Sequence, residues 1–262
     1  MNEIYRGIWV VAYRELLRFV QERSRMVTSF AFPIMFLVVV FGAGFNRIVG
    51  PMTEGVDFIQ FMYPGILSMT VVMSSMFSGM SIVWDREFGF LKEILVAPIS
   101  RSGIVLGKAL GGSVTAMLQG VILLTLAPFL GIHLTALMVV KYIFLVLLLS
   151  LSLSGMGIFV ATRMRSQQGF QMVMNLLIFP LIFLSGVFFP VDNVSPWLQM
   201  IAKLNPLTYG VDAIRQVFLS GDAGLGVTVM GYKMGIIEDA LIIGVLGLSL
   251  LSVSVWSFSR QE

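Results

Sequence analysis

The sequence has no cysteine, one histidine and few charges. Each scarcity removes a class of chemistry. Without Cys there are no disulfides, thiolate metal ligands or thiol nucleophiles. His133 alone builds neither a His-ligated metal centre nor a histidine relay, and it reads as a plain interfacial residue. A Gly-x-x-x-x-Gly-Lys-Ser/Thr phosphate loop is missing. Gly103 to Lys108 comes nearest, but only three residues separate its glycines and Ala109 follows the lysine. No carboxylate lies deep in an apolar run, whereas ion-coupled transporters and proton pumps usually need intramembrane Asp, Glu or His. The embedded polar groups are mainly Gln119, Gln171, Asn175 and several serines. The chain therefore carries no evident energy source, nucleotide site, metal or cofactor of its own.

What the sequence does have is apolar length. Charged residues make up 12% and hydrophobic residues 57% of 262 positions, with mean hydropathy +0.93. Soluble domains carry about 25% charged residues. Six runs, near 26–45, 60–84, 109–131, 137–162, 170–190 and 236–258, reach the roughly 20 residues that cross a bilayer. The expectation is an all-α membrane protein of six transmembrane helices over 26–258, with an N-terminal segment 1–25 and a short tail 259–262. The third and fourth runs form a helical hairpin, because only Ile132 to Ala136 join them. The charged start Met-Asn-Glu-Ile-Tyr-Arg does not read as a cleaved signal peptide.

Basic residues set the orientation. With cytoplasmic termini, twelve of the 17 Lys and Arg fall inside and five outside, while the 14 acidic residues split evenly. This explains the pI near 9.3 without nucleic acid. Both termini are expected in the cytoplasm of a prokaryotic cell, with the spans in its plasma membrane.

Three stretches outside the spans are patterned. From Ile8 to Glu22, residues Arg14, Glu15, Arg18, Gln21 and Glu22 share an arc of about 120°, and Trp9, Val10, Tyr13, Leu16, Leu17, Phe19 and Val20 cover much of the rest. This describes an interfacial amphipathic helix, with a solvated lead-in to the first span as the alternative. The stretch 191–235 reads as short apolar helices at the outer interface, broken by Pro196, Pro206 and a Gly-rich end. In the loop 85–99, Asp85, Arg86, Gly89, Lys92 and Glu93 cluster on one helical face. Phe88, Phe90, Leu91, Ile94 and Leu95 form the other, Glu87 breaks the pattern, and Pro98 ends the helix. The apolar face would rest on the bilayer or bundle and leave the charged face for a cytoplasmic partner. A solvated loop helix without a partner has the same pattern.

Two motifs carry a family resemblance. Leu91-Lys92-Glu93-Ile94-Leu95-Val96-Ala97-Pro98-Ile99-Ser100-Arg101, continuing to Ile104-Val105-Leu106-Gly107-Lys108, resembles the cytoplasmic loop of type-2 ABC exporter permeases. Leu204-Asn205-Pro206-Leu207-Thr208-Tyr209-Gly210-Val211-Asp212-Ala213-Ile214-Arg215 resembles the segment before their last span. The subgroup is that of daunorubicin-resistance-type and nodulation-factor exporters, and the resemblance covers essentially the whole chain. It implies a homodimer or heterodimer of permeases with two cytoplasmic ABC ATPase subunits that bind ATP and Mg. It also implies that the 85–99 helix couples to them through Asp85, Arg86, Glu87, Lys92 and Glu93, and that the second and fifth spans border the substrate path.

In the second run, Met69, Met73, Met76 and Met80 form one stripe, with Ser74, Ser78 and Ser81 nearly opposite. Methionine suits a surface for varied apolar ligands, but the stripe also fits ordinary packing or a lipid-facing surface. In the fifth run Gln171 and Asn175 share a face, where such amides more often bond a neighbouring helix than a substrate. Under the resemblance, the Met stripe and Asn175 are the candidate path residues. Gly103, Gly107 and Gly111 repeat at helical spacing and let a helix approach closely, read as packing within the chain ahead of a dimer contact. The sequon Asn193-Val194-Ser195 is assigned no role. The expected function is the membrane subunit of an ATP-driven exporter of amphipathic, drug-like or lipid-like cargo. The rivals are an ion-coupled secondary transporter and an intramembrane enzyme.

Overall fold

A computed structural model describes residues 2–42, 58–89, 100–219, 227–229 and 231–260. The elements in chain order are α1 (Asn2–Gln21), α2 (Arg23–Gly42), α3 (Phe58–Met76), a 3-10 turn (Phe77–Gly79), α4 (Met80–Glu87), α5 (Arg101–Leu124), a 3-10 turn (Ala127–Leu130) and α6 (Ala136–Arg163). Then follow α7 (Gln167–Phe183), a 3-10 turn (Val191–Asn193), α8 (Pro196–Leu204), α9 (Pro206–Phe218), the hairpin β1 (Thr228–Val229) and β2 (Tyr232–Lys233), and α10 (Ile236–Ser259). The two strands pair antiparallel.

Among the described residues, four helical stretches are long and apolar enough to cross a membrane: Gln60–Glu87, Arg101–Leu124, Ala136–Arg163 and Ile236–Ser259. At about 1.5 Å per residue, even the 24-residue members exceed a hydrocarbon core of about 30 Å. The expected run 170–190 forms a shorter helix. α7 has 17 residues and contains Pro180, and the chain then turns at Gly186, whose φ is +80°. Hydropathy alone carries no sign of that break.

The α3–α4 stretch is the centre of the bundle. In its most apolar window 83% of residues are buried, against 28% for α10. Phe61, Tyr63, Leu67, Val71, Met76 and Val83 belong to one continuous core with Leu123 from α5 and Leu149 and Leu153 from α6. Hydroxyls in these helices are largely committed to their own backbone. Ser68, Thr70, Ser75, Ser113 and Thr115 each bond the carbonyl four residues earlier. Contacts between helices rest on small residues. Gly157 of α6 lies so close to the Met76 carbonyl that a side chain has no room there, and Ser254 of α10 donates to the Gly155 carbonyl at 2.6 Å.

Candidate functional site

One end of the bundle gathers the charges. Lys108, near the start of α5, is only 2% exposed. Its Nζ donates to Asp85 Oδ2 at 2.9 Å, Ser81 Oγ at 2.8 Å and Glu15 Oε1 at 3.3 Å. Asp85 is 3% exposed, and its Oδ1 accepts from Arg14 Nη2 at 3.3 Å. Three segments distant in sequence thus meet in one ion cluster: α1, α4 and α5.

The glycines of α5 make that meeting possible. A Cβ on Gly107 would stand 2.7 Å from Val11 Cβ, and one on Gly111 would stand 2.7 Å from Glu15 Cβ. Real side chains essentially never approach that closely, so α1 lies directly on the α5 backbone at these two turns. At Gly107 and Gly111 the glycine repeat is therefore packing within the chain, the first of the two readings of its spacing. The polar arc of α1 faces inward in part, because Glu15 and Arg14 are drawn to Lys108 and Asp85. Much of the apolar arc is left outside, with Tyr5, Trp9, Val10, Tyr13 and Val20 exposed, while Phe19 is buried and Leu16 half-buried. Arg18 stacks over the Trp84 ring at 4.1 Å. A cleft of about 780 Å³ lies here, with Arg14, Arg18, Trp84 and Phe88 among its walls.

The two residues after Asp85 hold other helices. Arg86 Nη1 donates to the carbonyls of Thr162 at 3.1 Å and Met164 at 2.5 Å, at the C-terminal end of α6. The C-terminal end of a helix carries the negative end of its dipole, so a guanidinium is well placed there. Glu87 Oε2 accepts from Gln167 N at 3.1 Å, at the positive N-terminal end of α7. On the far side of the loop, Ser100 caps α5 by accepting from Gly103 N, and Arg101 Nη1 donates to Ser259 O at 2.9 Å, at the end of α10.

These positions correct the expected helix over 85–99 in its first part. α4 ends at Glu87, and Gly89 adopts φ +82°, which breaks a continuous helix there. Asp85 and Arg86 turn inward to the protein's own helices, because a buried lysine and the carbonyls at the end of α6 stand within reach. Lys92 and Glu93 lie outside the described residues. The candidate path residues are not gathered on one surface. Met69, Met76 and Met80 are buried in the core and Met73 is half-buried. Asn175 is exposed on α7, as are Gln171, Met172, Leu176, Phe179 and Phe183.

The second motif builds an elbow at the other end. Asn205 Oδ1 accepts from Leu207 N at 2.9 Å and caps α9, and its Nδ2 donates to the Leu181 carbonyl at the end of α7. Thr208 and Tyr209 donate back to the carbonyls of Ala202 and Lys203 in α8. Arg215 is 4% exposed and donates to the carbonyls of Gly186, Val187 and Phe61, with its guanidinium 3.9 Å above the Phe61 ring. Asp212 and Asp239 are buried beside it and share the Gln216 amide. Sequence reasoning named neither this acid pair nor the partners of Asp85. Lys108 was the available signal, since a lysine in an apolar helix demands a buried counter-charge.

Apolar helices of bilayer length, a charged knot at one end and a helical elbow at the other define a polytopic membrane protein whose intramembrane contacts are packing contacts. The chain belongs to the ABC-2 type transporter family, whose model matches residues 6–219. It is 32% identical over 215 residues to the transport permease ycf38 of Cyanophora paradoxa, covering 80% of this chain and 73% of that one. It is 29% identical over 178 residues to the ABC transporter permease YbhR of Escherichia coli strain K12, covering 65% and 46%. To the inner membrane transport permease YadH of the same strain it is 25% identical over 222 residues, covering 82% of each.

Proposed function

We propose that the chain is the membrane subunit of an ATP-driven exporter and that the loop between α4 and α5 takes force from a separate ATPase. The observation that carries this reading is the anchoring of the loop's two ends. Asp85, Arg86, Glu87 and Arg101 bond to α1, α5, α6, α7 and α10, so a displacement of the loop reaches five helices at once. Glu93 and Lys92 then belong to the loop's contact with the partner. The chain itself has no phosphate loop, so ATP and Mg bind on two ABC ATPase subunits.

In this reading α2 and α7 complete a set of six spans, and α1 lies in the interface with Trp9 and Tyr13 toward lipid. The charged knot is cytoplasmic and the elbow is outside, in keeping with the basic-residue bias. Two permease copies assemble in a prokaryotic cytoplasmic membrane. The cargo is amphipathic, drug-like or lipid-like, because the spans are poor in charge and in polar groups not committed to the backbone; the relative YbhR carries the word multidrug in its name. ATPase closure moves the loop and biases the bundle toward an outward-open state.

The test is transport by the chain reconstituted with its soluble ATPase. Uptake of an amphipathic dye into inside-out vesicles should require ATP and the ATPase subunit. Transport by the chain alone, driven by an ion gradient, would replace this reading with the secondary transporter.

A further inference from the structure

Asp212 of α9 is 2% exposed and Asp239, in the first turn of α10, is fully buried. Their Oδ2 atoms face the same side-chain amide, which places the two carboxyl groups side by side. Gln216 Nε2 donates to both, at 3.2 Å each, and also to the Met234 carbonyl at 3.1 Å. Val227 N donates to Asp212 Oδ2 at 2.8 Å. Among the described residues no cation forms an ion pair with either carboxyl, and Asp239 Oδ1 is buried with no partner.

The surrounding charges do not resolve this. Arg215, one turn from Asp212, commits its guanidinium to backbone carbonyls and the Phe61 ring. Glu238, beside Asp239, adds a further negative charge, and Tyr209 stands near as a neutral phenol. No group of three or more acidic, His or Cys side chains suited to a metal occurs among the described residues. Two carboxylates gathered on one amide and out of water do not both ionise near neutral pH, because burial penalises each charge and each repels the other.

We infer that Asp212 and Asp239 hold one shared proton, and that this proton latches α9 and the β1–β2 hairpin onto the start of α10. The bound proton turns a repulsive pair into a hydrogen-bonded one, with the unpartnered Asp239 oxygen as part of its site. Burial pushes the Asp212 carboxyl above the usual carboxylate range, against the pull of the Val227 amide and the Arg215 charge. Removing the proton leaves two buried anions, and the α9–α10 contact loosens. The inference is independent of what the protein transports.

The experiment is an infrared titration of the full chain in lipid nanodiscs. At about pH 7 the wild type should show the carbonyl stretch of a protonated, buried carboxylic acid, lost reversibly on raising the pH. Asp239→Asn and Asp212→Asn should each abolish that band. If either variant fails to fold, Asp239→Glu keeps the carboxyl and should shift the band. The folded pair binds a proton that the unfolded chain has released, so wild-type stability falls as pH rises from about 4 through the pair's titration. Asp239→Asn should flatten that slope. Absence of the band in wild type from about pH 5 to 9, or its survival in both Asn variants, would overturn the proposal. So would its abolition by added sodium or calcium, which would make the pair a cation site.

Discussion

Lys108 and Asp85 meet at 2.9 Å across 23 positions of sequence, both almost completely buried, at the entrance to the loop that joins α4 to α5. The pair is energetically asymmetric. Two well-bonded buried charges contribute little net stability, but either one left alone is costly. That asymmetry makes the pair a register device, holding α1, α4 and α5 in one relation and strongly resisting others.

The first prediction separates stability from register. Asp85→Asn or Lys108→Met alone should destabilise the bundle by about 1–3 kcal/mol, because each leaves a buried charge with only its longer 3.3 Å ion-pair contact, Lys108 to Glu15 or Asp85 to Arg14. Asp85→Leu combined with Lys108→Met should recover most of that loss. Thermal unfolding in detergent for the complete double-mutant cycle measures the coupling. Additive single effects would mean that the contact is incidental.

The seat of α1 can be tested through glycine. Gly107→Leu places a side chain where Val11 and the Ile8 carbonyl now stand. Overpacking of this kind costs about 1–3 kcal/mol, and here it should lift α1 off α5. A cysteine introduced at position 11 should then label readily, since Val11 is now buried. Unchanged protection at position 11 would show that α1 is held elsewhere.

Arg86 offers a third test. Its bonds to the Thr162 and Met164 carbonyls are charge-assisted, and each such bond contributes about 1.5–3 kcal/mol. Arg86→Ala should raise hydrogen exchange at the end of α6 specifically, and Arg86→Lys should restore it only in part, because an ammonium lacks the planar fork. Exchange confined to α4 would contradict the capping role.

The glycine repeat could be read from sequence, because residues four apart report a local face whatever that face meets. Its partner could not be read, since α1 lies some ninety positions away and hydropathy carries no pairing information. The Met69–Met80 stripe illustrates the same boundary. Periodicity placed these residues on one side of a helix, and only the packed structure showed that Met69, Met76 and Met80 face inward. The helical wheel over 85–99 assumed a helix running through Gly89, where the backbone leaves it. The elbow motif was visible as a string of residues, but its logic is tertiary: Asn205 reaches Leu181 and Arg215 reaches Gly186.

A fourth prediction concerns the loop itself. If residues 90–99 meet the ATPase, Glu93→Arg should weaken co-purification of that subunit or uncouple it. Arg163→Glu, at the end of α6 beside the other short loop of the charged end, should leave co-purification unchanged. Truncating a paired interface charge typically costs about 2–5 kcal/mol, whereas a surface charge changes stability by about 0.5 kcal/mol or less. Equal co-purification for both variants and wild type would place the contact outside this loop.

The most direct test of force transmission is the number of cargo molecules moved per ATP hydrolysed, measured for Asp85→Asn reconstituted with the ATPase at equal assembly. This variant leaves residues 90–99 unchanged in sequence and alters only the anchor beneath the loop. We predict that hydrolysis continues while transport per ATP falls about tenfold or more, the equivalent of losing about 1.4 kcal/mol of coupling. An unchanged ratio in a correctly folded Asp85→Asn complex would contradict the account, because force would then reach the bundle without passing through the Lys108–Asp85 anchor.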